Sequence, residues 1–322
     1  MNKNALFMIT VFLVLSVCSV NVFAASFKVE EKLLSQRESG LEIKGIYPVI
    51  YELGNLSLET AINEKIEIIF RQKIASARES KARSVSFSYT VTESQDVTTI
   101  LLYSVINTST SKAEVNSLNF NPYLRKWIGV NDMLGVNGVS LANNVIGEAI
   151  RKNPEVYYPS FTGIDQDETF LVEDEGVTFL FDAFKLAPGS EGIVTFTLYF
   201  DQIVEITVSR DEYWKNEDSY DIRMIPLRRV LETLGFTVSW YEEDNGVVIG
   251  KSDLFTIEIS PENNLYIKTD DANKAVSRML EVAPELLGGI TYVPISFFDQ
   301  LLDNVTYYVN ENEDIIFTSY YE

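Results

Sequence analysis

The 322-residue chain contains no histidine, and its one cysteine is Cys18. Without histidine, the Ser–His and Cys–His nucleophile pairs are excluded, and so are the histidine-based sites for zinc, copper and haem. Any acid–base chemistry would have to use carboxylates, lysine or tyrosine. A single cysteine also excludes a disulfide framework within the chain. The composition therefore favours a protein that is not an enzyme and holds no cofactor or metal.

Basic residues are scarce as well. The chain has 26 Lys and Arg against 47 Asp and Glu, which gives a net charge of −21. Such a surface repels a phosphate backbone, so we expect no nucleic-acid partner. The acidic surface favours solubility outside the cell and attracts basic partners. After residue 24 the chain has no run of 18 apolar residues, so no later segment is expected to span a membrane.

The first 24 residues have the three-part pattern of a secretory signal peptide. Lys3 supplies the positive charge, Ala5–Val20 is almost wholly apolar, and Ala24 is the small residue at the expected cleavage site. We predict cleavage after Ala24 and a secreted or cell-wall-associated protein that no longer contacts the membrane. The alternative is an uncleaved signal anchor, because the apolar run is nearly long enough to span a bilayer. Lipidation of Cys18 is not expected, because Val17 precedes it instead of a small residue.

Length and a change in charge predict two domains, at 25–208 and 209–322. The polar segment SRDEYWKNED at 209–218 separates two strand-rich regions. Residues 25–210 carry 25 acidic and 17 basic residues, a net charge of −8. Residues 211–322 carry 22 acidic and 8 basic residues, a net charge of −14. The second domain is therefore smaller and more acidic.

In the first domain, apolar residues first recur at the spacing of a helix and then alternate with polar residues, as in strands. Apolar residues recur at helical spacing from Leu58 to Ile69, which predicts a helix over 57–78 with Ser57 as its N-cap. Further predicted elements are strands at 85–91, 99–105, 113–121, 170–172, 177–181 and 193–199, and helices at 131–134 and 140–152. This order indicates the α+β class, in which a few helices pack on an antiparallel sheet in each domain.

The second domain contains a duplicated unit. Residues 224–249 read MIPLRRVLETLGFTVSWYEEDNGVVI, and residues 292–316 read YVPISFFDQLLDNVTYYVNENEDII. The aligned pairs are Pro226 with Pro294, Leu227 with Ile295, Val230 with Phe298, Leu234 with Leu302, Val238 with Val305, Trp240 with Tyr307 and Val248 with Ile315. Each copy predicts a proline in the first helical turn, a short helix and a hairpin. Trp240 and Tyr307 are predicted to lie in the core of this domain.

The duplicated pattern resembles the copper amine oxidase N-terminal-like domain, a small stalk module. The residues that carry the resemblance over 211–322 are Pro226, Arg228, Leu234-Gly235, Trp240 and Thr291-Tyr292-Val293-Pro294. Two positions depart from the family pattern: Ser296 stands where the second copy often has arginine, and Asp303 stands in place of glycine. The resemblance implies a display or binding module rather than the copper-bearing catalytic domain. No copper oxidase activity is expected, because the chain has no histidine.

The first domain resembles a pair of adjoining extracellular domains of unknown function. They occur in lysozyme-sensing anti-sigma-factor ectodomains and in some secreted polysaccharide deacetylases. The motifs that carry the resemblance over about 40–206 are Ile46-Tyr47-Pro48-Val49, Ile62-Asn63, Leu118-Asn119-Phe120, Val177-Thr178-Phe179-Leu180-Phe181, Leu186-Ala187-Pro188-Gly189 and Gly192-Ile193. The resemblance implies a cell-envelope setting in a Gram-positive bacterium, with wall glycan or a wall-acting protein as the partner. Deacetylase activity is not implied, because the chain contains no deacetylase catalytic domain.

Aromatic residues in predicted loops are the candidate ligand-binding residues. Tyr157 and Tyr158 precede Pro159, and Tyr213 and Trp214 lie near the domain boundary. Aromatic side chains on loops stack on sugar rings and anchor protein interfaces. The alternative is that these rings pack beneath loops or at the domain junction, because Tyr and Trp are often mostly buried.

Acidic loops offer two further interpretations. Asp165, Asp167 and Glu168 could hold calcium, but their loop lacks the ligand number and the glycine of calcium loops, so a solvated loop is expected. The acidic turns at 242–245 and 310–314 are explained by duplicated hairpins that need polar turns. Two carboxylates could also cleave a glycoside, but no motif in the chain selects a pair.

Together these patterns predict an exported, non-catalytic cell-envelope binding protein of a Gram-positive bacterium. Its ligand would be wall glycan of the peptidoglycan type or another exported protein. Two alternatives remain open at this point. One is a carboxylate-based hydrolase of wall glycan, and the other is a structural component of a surface layer or spore coat.

Overall fold

The computed structural model describes residues 27–216, 222–241, 246–250, 255–259, 263–270, 274–302 and 305–320. The predicted leader with its cleavage site, the acidic turn at 242–245 and Asp303 lie outside the described residues. No helix within these ranges is long and apolar enough to cross a membrane. The architecture is α+β, as the sequence predicts, with short helices packed against several mainly antiparallel sheets.

The N-terminal part begins with a six-stranded sheet. Its elements are β1 (Lys28–Glu38), β2 (Leu41–Tyr51), α1 (Leu56–Glu79), β3 (Ser84–Ser94), β4 (Val97–Asn107), β5 (Ser111–Asn121) and β6 (Lys126–Trp127). The strands lie in sequence order. All neighbouring pairs are antiparallel except β2 and β3, which form a parallel pair connected by α1. The apolar stripe of α1 packs on this sheet through Leu58, Ile62, Ile66 and Phe70.

The structure confirms the helix α1 but corrects its N-cap. The N-cap residue is Asn55, which has an extended backbone and whose Oδ1 accepts a hydrogen bond from Leu58 N at 3.1 Å. Ser57 already lies inside the first helical turn, so the prediction that it caps the helix is wrong. Both residue types favour capping positions, and only the backbone geometry decides between two such neighbours.

Two helices and a three-stranded sheet follow in the chain. Their elements are α2 (Val130–Leu134), α3 (Gly138–Lys152), β7 (Phe170–Val172), β8 (Gly176–Phe181) and β9 (Val194–Tyr199), with 3-10 turns at Gly189–Glu191 and Phe200–Gln202. The small sheet packs against β4 and β5. Side chains link the two layers, because Asn119 Nδ2 donates to Phe170 O at 3.1 Å and Val115 N donates to Asp182 Oδ1 at 2.8 Å. α3 covers the resulting core with its apolar face.

The C-terminal part contains both copies of the predicted unit. Its elements are β10 (Ile203–Val208), β11 (Trp214–Asn216), β12 (Ile222–Pro226), α4 (Leu227–Thr233), β13 (Thr237–Tyr241), β14 (Gly246–Gly250), β15 (Phe255–Ile259), β16 (Leu265–Asp270), β17 (Ala275–Met279), β18 (Glu285–Leu287), β19 (Ile290–Pro294), α5 (Ser296–Leu301), β20 (Val305–Val309) and β21 (Ile315–Tyr320). The strand orders are β11-β12-β19-β18, β13-β14-β15-β16-β17 and β10-β21-β20. The two copies meet where β12 pairs with β19, with Ile225 opposite Val293.

The aligned aromatic residues of the two copies differ in burial. Tyr307 is half-buried and packs against the C-terminal core, where its ring centroid lies 5.7 Å from that of Phe317. Trp240 is 37% exposed, so the prediction that it lies in the core is wrong. Trp240 pairs with Val247 near the end of β13, and the described part of the protein covers only part of its ring.

The last strand of the chain ties the two parts together. β10 precedes the predicted boundary at 208/209, yet it pairs with β21 from Ile203 opposite Tyr320 to Val208 opposite Ile315. Tyr320 is buried in the N-terminal core, where its hydroxyl accepts a hydrogen bond from Tyr199 N at 3.2 Å. The domain boundary stays a prediction, but strand pairing crosses it.

Candidate functional site

The first pair of predicted ligand-binding residues lies in the loop that follows α3. Tyr157 is half-buried, and its ring packs against Phe196 with centroids 5.3 Å apart. Burial raises the pKa of the Tyr157 hydroxyl, so it stays protonated at neutral pH. Tyr158 is 38% exposed, and its backbone N–H donates to Leu186 O at 2.7 Å. Of this pair, Tyr158 presents the larger surface to a ligand.

The second pair lies at the start of the C-terminal part, where Tyr213 belongs to the hydrophobic core. Tyr213 is 4% exposed, and its hydroxyl donates to Glu313 O at 2.9 Å. Arg210 covers the ring at 4.9 Å from its centroid. Trp214 is half-buried in β11, and its indole N–H has no hydrogen-bond partner among the described residues. Tyr213 is therefore buried as a packing residue, which is the alternative interpretation of these aromatics. Tyr213 and Tyr157 belong to different hydrophobic cores, so the structure does not bring the two pairs together in one core.

The acidic loops are engaged by their own surroundings. Asp165 Oδ1 accepts a hydrogen bond from Asp167 N at 2.9 Å, and Glu168 pairs with Lys185 at 3.2 Å. Within the described ranges no group of three or more acidic residues is placed to hold a metal ion. The second acidic turn, at 310–314, is held by its own hydrogen bonds. Asn310 Oδ1 accepts hydrogen bonds from the backbone N–H groups of Asn312 and Asp314.

A polar cleft lies between the two parts of the chain. α3 forms one wall, and α5 with β20 forms the other. The cleft encloses about 470 Å³. Its polar lining consists of Asn137, Ser140, Asn144, Asp299, Thr306 and Tyr307. Leu302 and Val305 add a small apolar strip.

Several polar groups of this cleft are unpaired. Thr306 is 9% exposed, and neither its hydroxyl nor Asn137 Nδ2 has a partner among the described residues. Asp299 reaches solvent, but the surrounding protein removes part of its hydration, which raises the pKa of the carboxyl, and nearby Glu281 raises it further. Burial also raises the pKa of Tyr307, with Asp299 as the next cause. Both unpaired atoms are covered by protein, so they would reach a ligand in the cleft after rotation of their side chains.

A second exposed feature is the hairpin formed by β18 and β19, which we call the apolar hairpin (residues 285–294). Its turn is Gly288-Gly289, both at positive φ, as a two-residue hairpin turn requires. Leu286, Leu287 and Ile290 at its tip are 50%, 47% and 46% exposed. Leu287 and Ile290 are cross-strand partners on one face, and Leu286 lies on the other. Apolar side chains are thus exposed on both faces of the tip, on the edge strand of its sheet.

Neither feature was singled out from the sequence. The apolar hairpin has a local signal, a Gly-Gly dipeptide between apolar residues, which is typical of a tight turn. The cleft has no local signal, because its walls lie more than 150 residues apart in the chain, at Asn137 and Asp299 for example. Only the packing of α3 beside β20 and β21 brings them together.

Comparisons with known proteins match two parts of the chain. Residues 221–317 match the family model described as copper amine oxidase N-terminal domain, which confirms that resemblance. Residues 132–201 match a family described as a protein of unknown function, DUF3298. A protein named "Protease inhibitor" from Brevibacillus choshinensis is 31% identical over 102 residues. That match covers 29% of this chain and 28% of the relative, so this chain spans less than a third of that protein's length.

Two solved structures of DUF3298 proteins are also similar. One, from Bacteroides fragilis, is 10% identical with a TM-score of 0.37, and the match covers 55% of this chain and 91% of that one. The other, from Pseudomonas aeruginosa, is 14% identical with a TM-score of 0.35, and the match covers 55% of this chain and 90% of that one.

Proposed function

We propose that this chain is an exported, non-catalytic binding protein of the cell envelope whose partner is another exported protein. The apolar hairpin carries this proposal. Three apolar side chains stand about half exposed at its tip, with Leu286 and Leu287 on the edge strand β18 and Ile290 on the neighbouring strand β19. The edge strand β18 is short and begins with Glu285, but its other two residues are exposed leucines, and an exposed apolar edge favours a surface that a partner covers.

The geometry of the hairpin fits recognition by strand addition. β18 has β19 on one side only, so its other edge is free within the described part of the sheet. A partner that adds a strand there would gain backbone hydrogen bonds, and pockets for alternate side chains would provide specificity. Leu286 and Leu287 point to opposite faces and would each fill such a pocket.

The comparisons and the resemblances support an enzyme as the class of partner. One relative bears the name "Protease inhibitor", and the N-terminal part resembles ectodomains that sense lysozyme. Both would bind an exported hydrolytic enzyme. The excess of acidic residues beyond residue 210, 22 against 8 basic ones, favours a basic partner by electrostatic complementarity. The first candidates are therefore a secreted protease and a basic wall hydrolase of the lysozyme class.

Substitution of Leu287 by aspartate tests the proposal. The change places a charge in a contact that excludes water, so we expect the affinity for the partner to fall at least thirtyfold, as for a central interface residue. Binding of the purified protein to a subtilisin-type protease and to a lysozyme would be measured by calorimetry, together with inhibition of each enzyme. The variant should unfold at the same denaturant concentration as the parent, because the side chain is half exposed.

Leu124→Asp is the matched control, because Leu124 is 67% exposed at the turn between β5 and β6, away from the apolar hairpin. It should leave binding unchanged. The proposal is contradicted if neither enzyme binds, or if Leu287→Asp and Leu124→Asp weaken binding equally. Equal weakening of binding by the two variants would show that the added negative charge, and not the contact made by the hairpin, controls the interaction.

A further inference from the structure

We propose that the cleft between α3 and the second copy of the duplicated unit binds a neutral, hydroxyl-rich ligand of the saccharide class. This site is separate from the apolar hairpin and does not depend on the protein partner proposed above. The argument rests on unpaired polar groups, on the charge of the lining and on the apolar strip.

Polar groups lack partners on both walls of the cleft. Thr306 contributes a buried hydroxyl from β20, and Asn137 contributes a buried amide nitrogen from the start of α3, both unpaired among the described residues. Ser140 and Asn144 add two further polar side chains to the α3 wall of the cleft. Buried polar atoms in folded proteins are nearly always paired, and an unpaired one destabilises the fold. A ligand with several hydroxyls would pair these groups after rotation of the covered side chains.

The charge of the lining selects against ionic ligands. Asp299 is the single charged side chain among the described lining residues. An anion would be repelled by Asp299 and by the net charge of −21. A calcium ion takes six to eight oxygen ligands, commonly from several carboxylates, and one carboxylate does not supply them. A neutral hydroxyl instead donates to Asp299 and accepts from the amide N–H groups of Asn137 and Asn144.

The apolar strip completes the match with a sugar ring. Leu302, Val305 and the ring of Tyr307 lie beside the polar groups. Sugars present C–H groups on one face and hydroxyls around the edge. A tyrosine ring can pack on the C–H face while its hydroxyl forms a hydrogen bond at the edge. The volume of about 470 Å³ lies in the range of small-molecule sites. Such sites are usually lined mainly by apolar groups, so the polar lining here indicates a hydrophilic ligand.

Substitution of Thr306 by valine is the central test. Valine keeps the shape of threonine but removes the hydroxyl, so we expect affinity for the ligand to fall about fivefold to tenfold. The same change removes an unpaired buried group, so we expect the midpoint of thermal unfolding to rise by about 2 °C without ligand. A substitution that stabilises the protein and weakens binding identifies a group kept for a ligand.

The matched control is Thr318→Val. Thr318 lies opposite Thr306 in the same sheet and is also buried, but its hydroxyl is paired with Glu205 at 3.2 Å. This variant should lower the unfolding midpoint and leave the affinity unchanged. Asp299→Asn should weaken binding as Thr306→Val does, because it replaces the charged acceptor.

Binding would be measured by calorimetry on the purified protein with the trimer of N-acetylglucosamine, with maltotriose and with insoluble peptidoglycan. Binding of the N-acetylated trimer and of peptidoglycan would indicate a wall-derived ligand, and binding of maltotriose alone would indicate a free neutral sugar. Either result supports the proposal if the affinity is weakened in Thr306→Val and unchanged in Thr318→Val. Absence of binding to all three up to about 10 mM sugar, or equal binding by Thr306→Val, overturns it.

Discussion

Replacement of Gly45 by alanine is expected to prevent the N-terminal sheet from forming. Gly45 lies in β2 between Leu34 of β1 and Phe87 of β3, at φ +130°, a conformation that L side chains rarely adopt. A Cβ atom at this position would lie 2.6 Å from the backbone nitrogen of Phe87 and closer still to its carbonyl oxygen. Because both obstacles are backbone atoms, rotation of a side chain cannot relieve the clash. We expect a loss of more than about 4 kcal/mol in the free energy of unfolding.

Gly40→Ala separates the clash from the backbone strain. Gly40 also has a positive φ, +93°, but no atom lies within 4 Å of the added Cβ. This variant should lose about 1–2 kcal/mol, the cost of the strained conformation alone. Chemical denaturation followed by circular dichroism measures both losses. Equal losses in the two variants would refute the close approach of β2 and β3 at Gly45.

After Gly45→Ala, Glu114→Gln is expected to cause the second largest loss in the free energy of unfolding. Glu114 is 6% exposed in β5, and its carboxylate pairs with Lys112 at 2.6 Å and Lys73 at 2.9 Å. Lys73 is itself largely buried, so removal of the carboxylate leaves a buried ammonium group without this partner. Breaking a buried pair in this way costs about 2–4 kcal/mol at neutral pH, whereas the exposed pair of Glu42 and Lys44 should contribute under about 0.5 kcal/mol.

The same variant should change the response to acid. Burial by itself would raise the pKa of Glu114, but the ammonium groups of Lys112 and Lys73 outweigh it and lower the pKa below the usual 4.5. A carboxyl whose pKa is lower in the folded state stabilises the protein fully above its unfolded pKa. That stabilisation is lost as the pH falls through the folded pKa. The parent should therefore lose more stability below about pH 5 than Glu114→Gln does.

The measurement is denaturant unfolding of both proteins from pH 7 to pH 3, with Glu42→Gln as the control. The curves of the parent and Glu114→Gln should converge at low pH, because a protonated glutamate resembles glutamine. Asp182, whose pKa burial raises, lies near this cluster and contributes with the opposite sign. Asp182 is present in every variant, so the difference between the stability curves of the parent and Glu114→Gln measures the contribution of Glu114. Parallel curves would contradict the role of this ion pair.

Several elements were predictable because their signal is local. α1 follows from apolar residues at helical spacing, and β3 follows from period-two alternation along the strand. The duplicated unit was also predictable, since each copy repeats the same order of proline, helix and hairpin. The errors fall where two local choices are equally good, as with Asn55 and Ser57 at the start of α1. They also fall where burial depends on a neighbouring element, as with Trp240.

By itself, the sequence determined the α+β class, the duplicated C-terminal unit, the exclusion of histidine chemistry and the acidic character of the chain. These properties depend on composition and on spacing along the chain, which need no knowledge of distant contacts. Only the tertiary structure decided that β10 pairs with β21, that Tyr213 is buried and that Asn137 faces Thr306 across a polar cleft. Periodicity states which face of an element is apolar, but not which partner covers it. The cleft follows from the packing of α3 beside β20 and β21, which no local pattern in the sequence predicts.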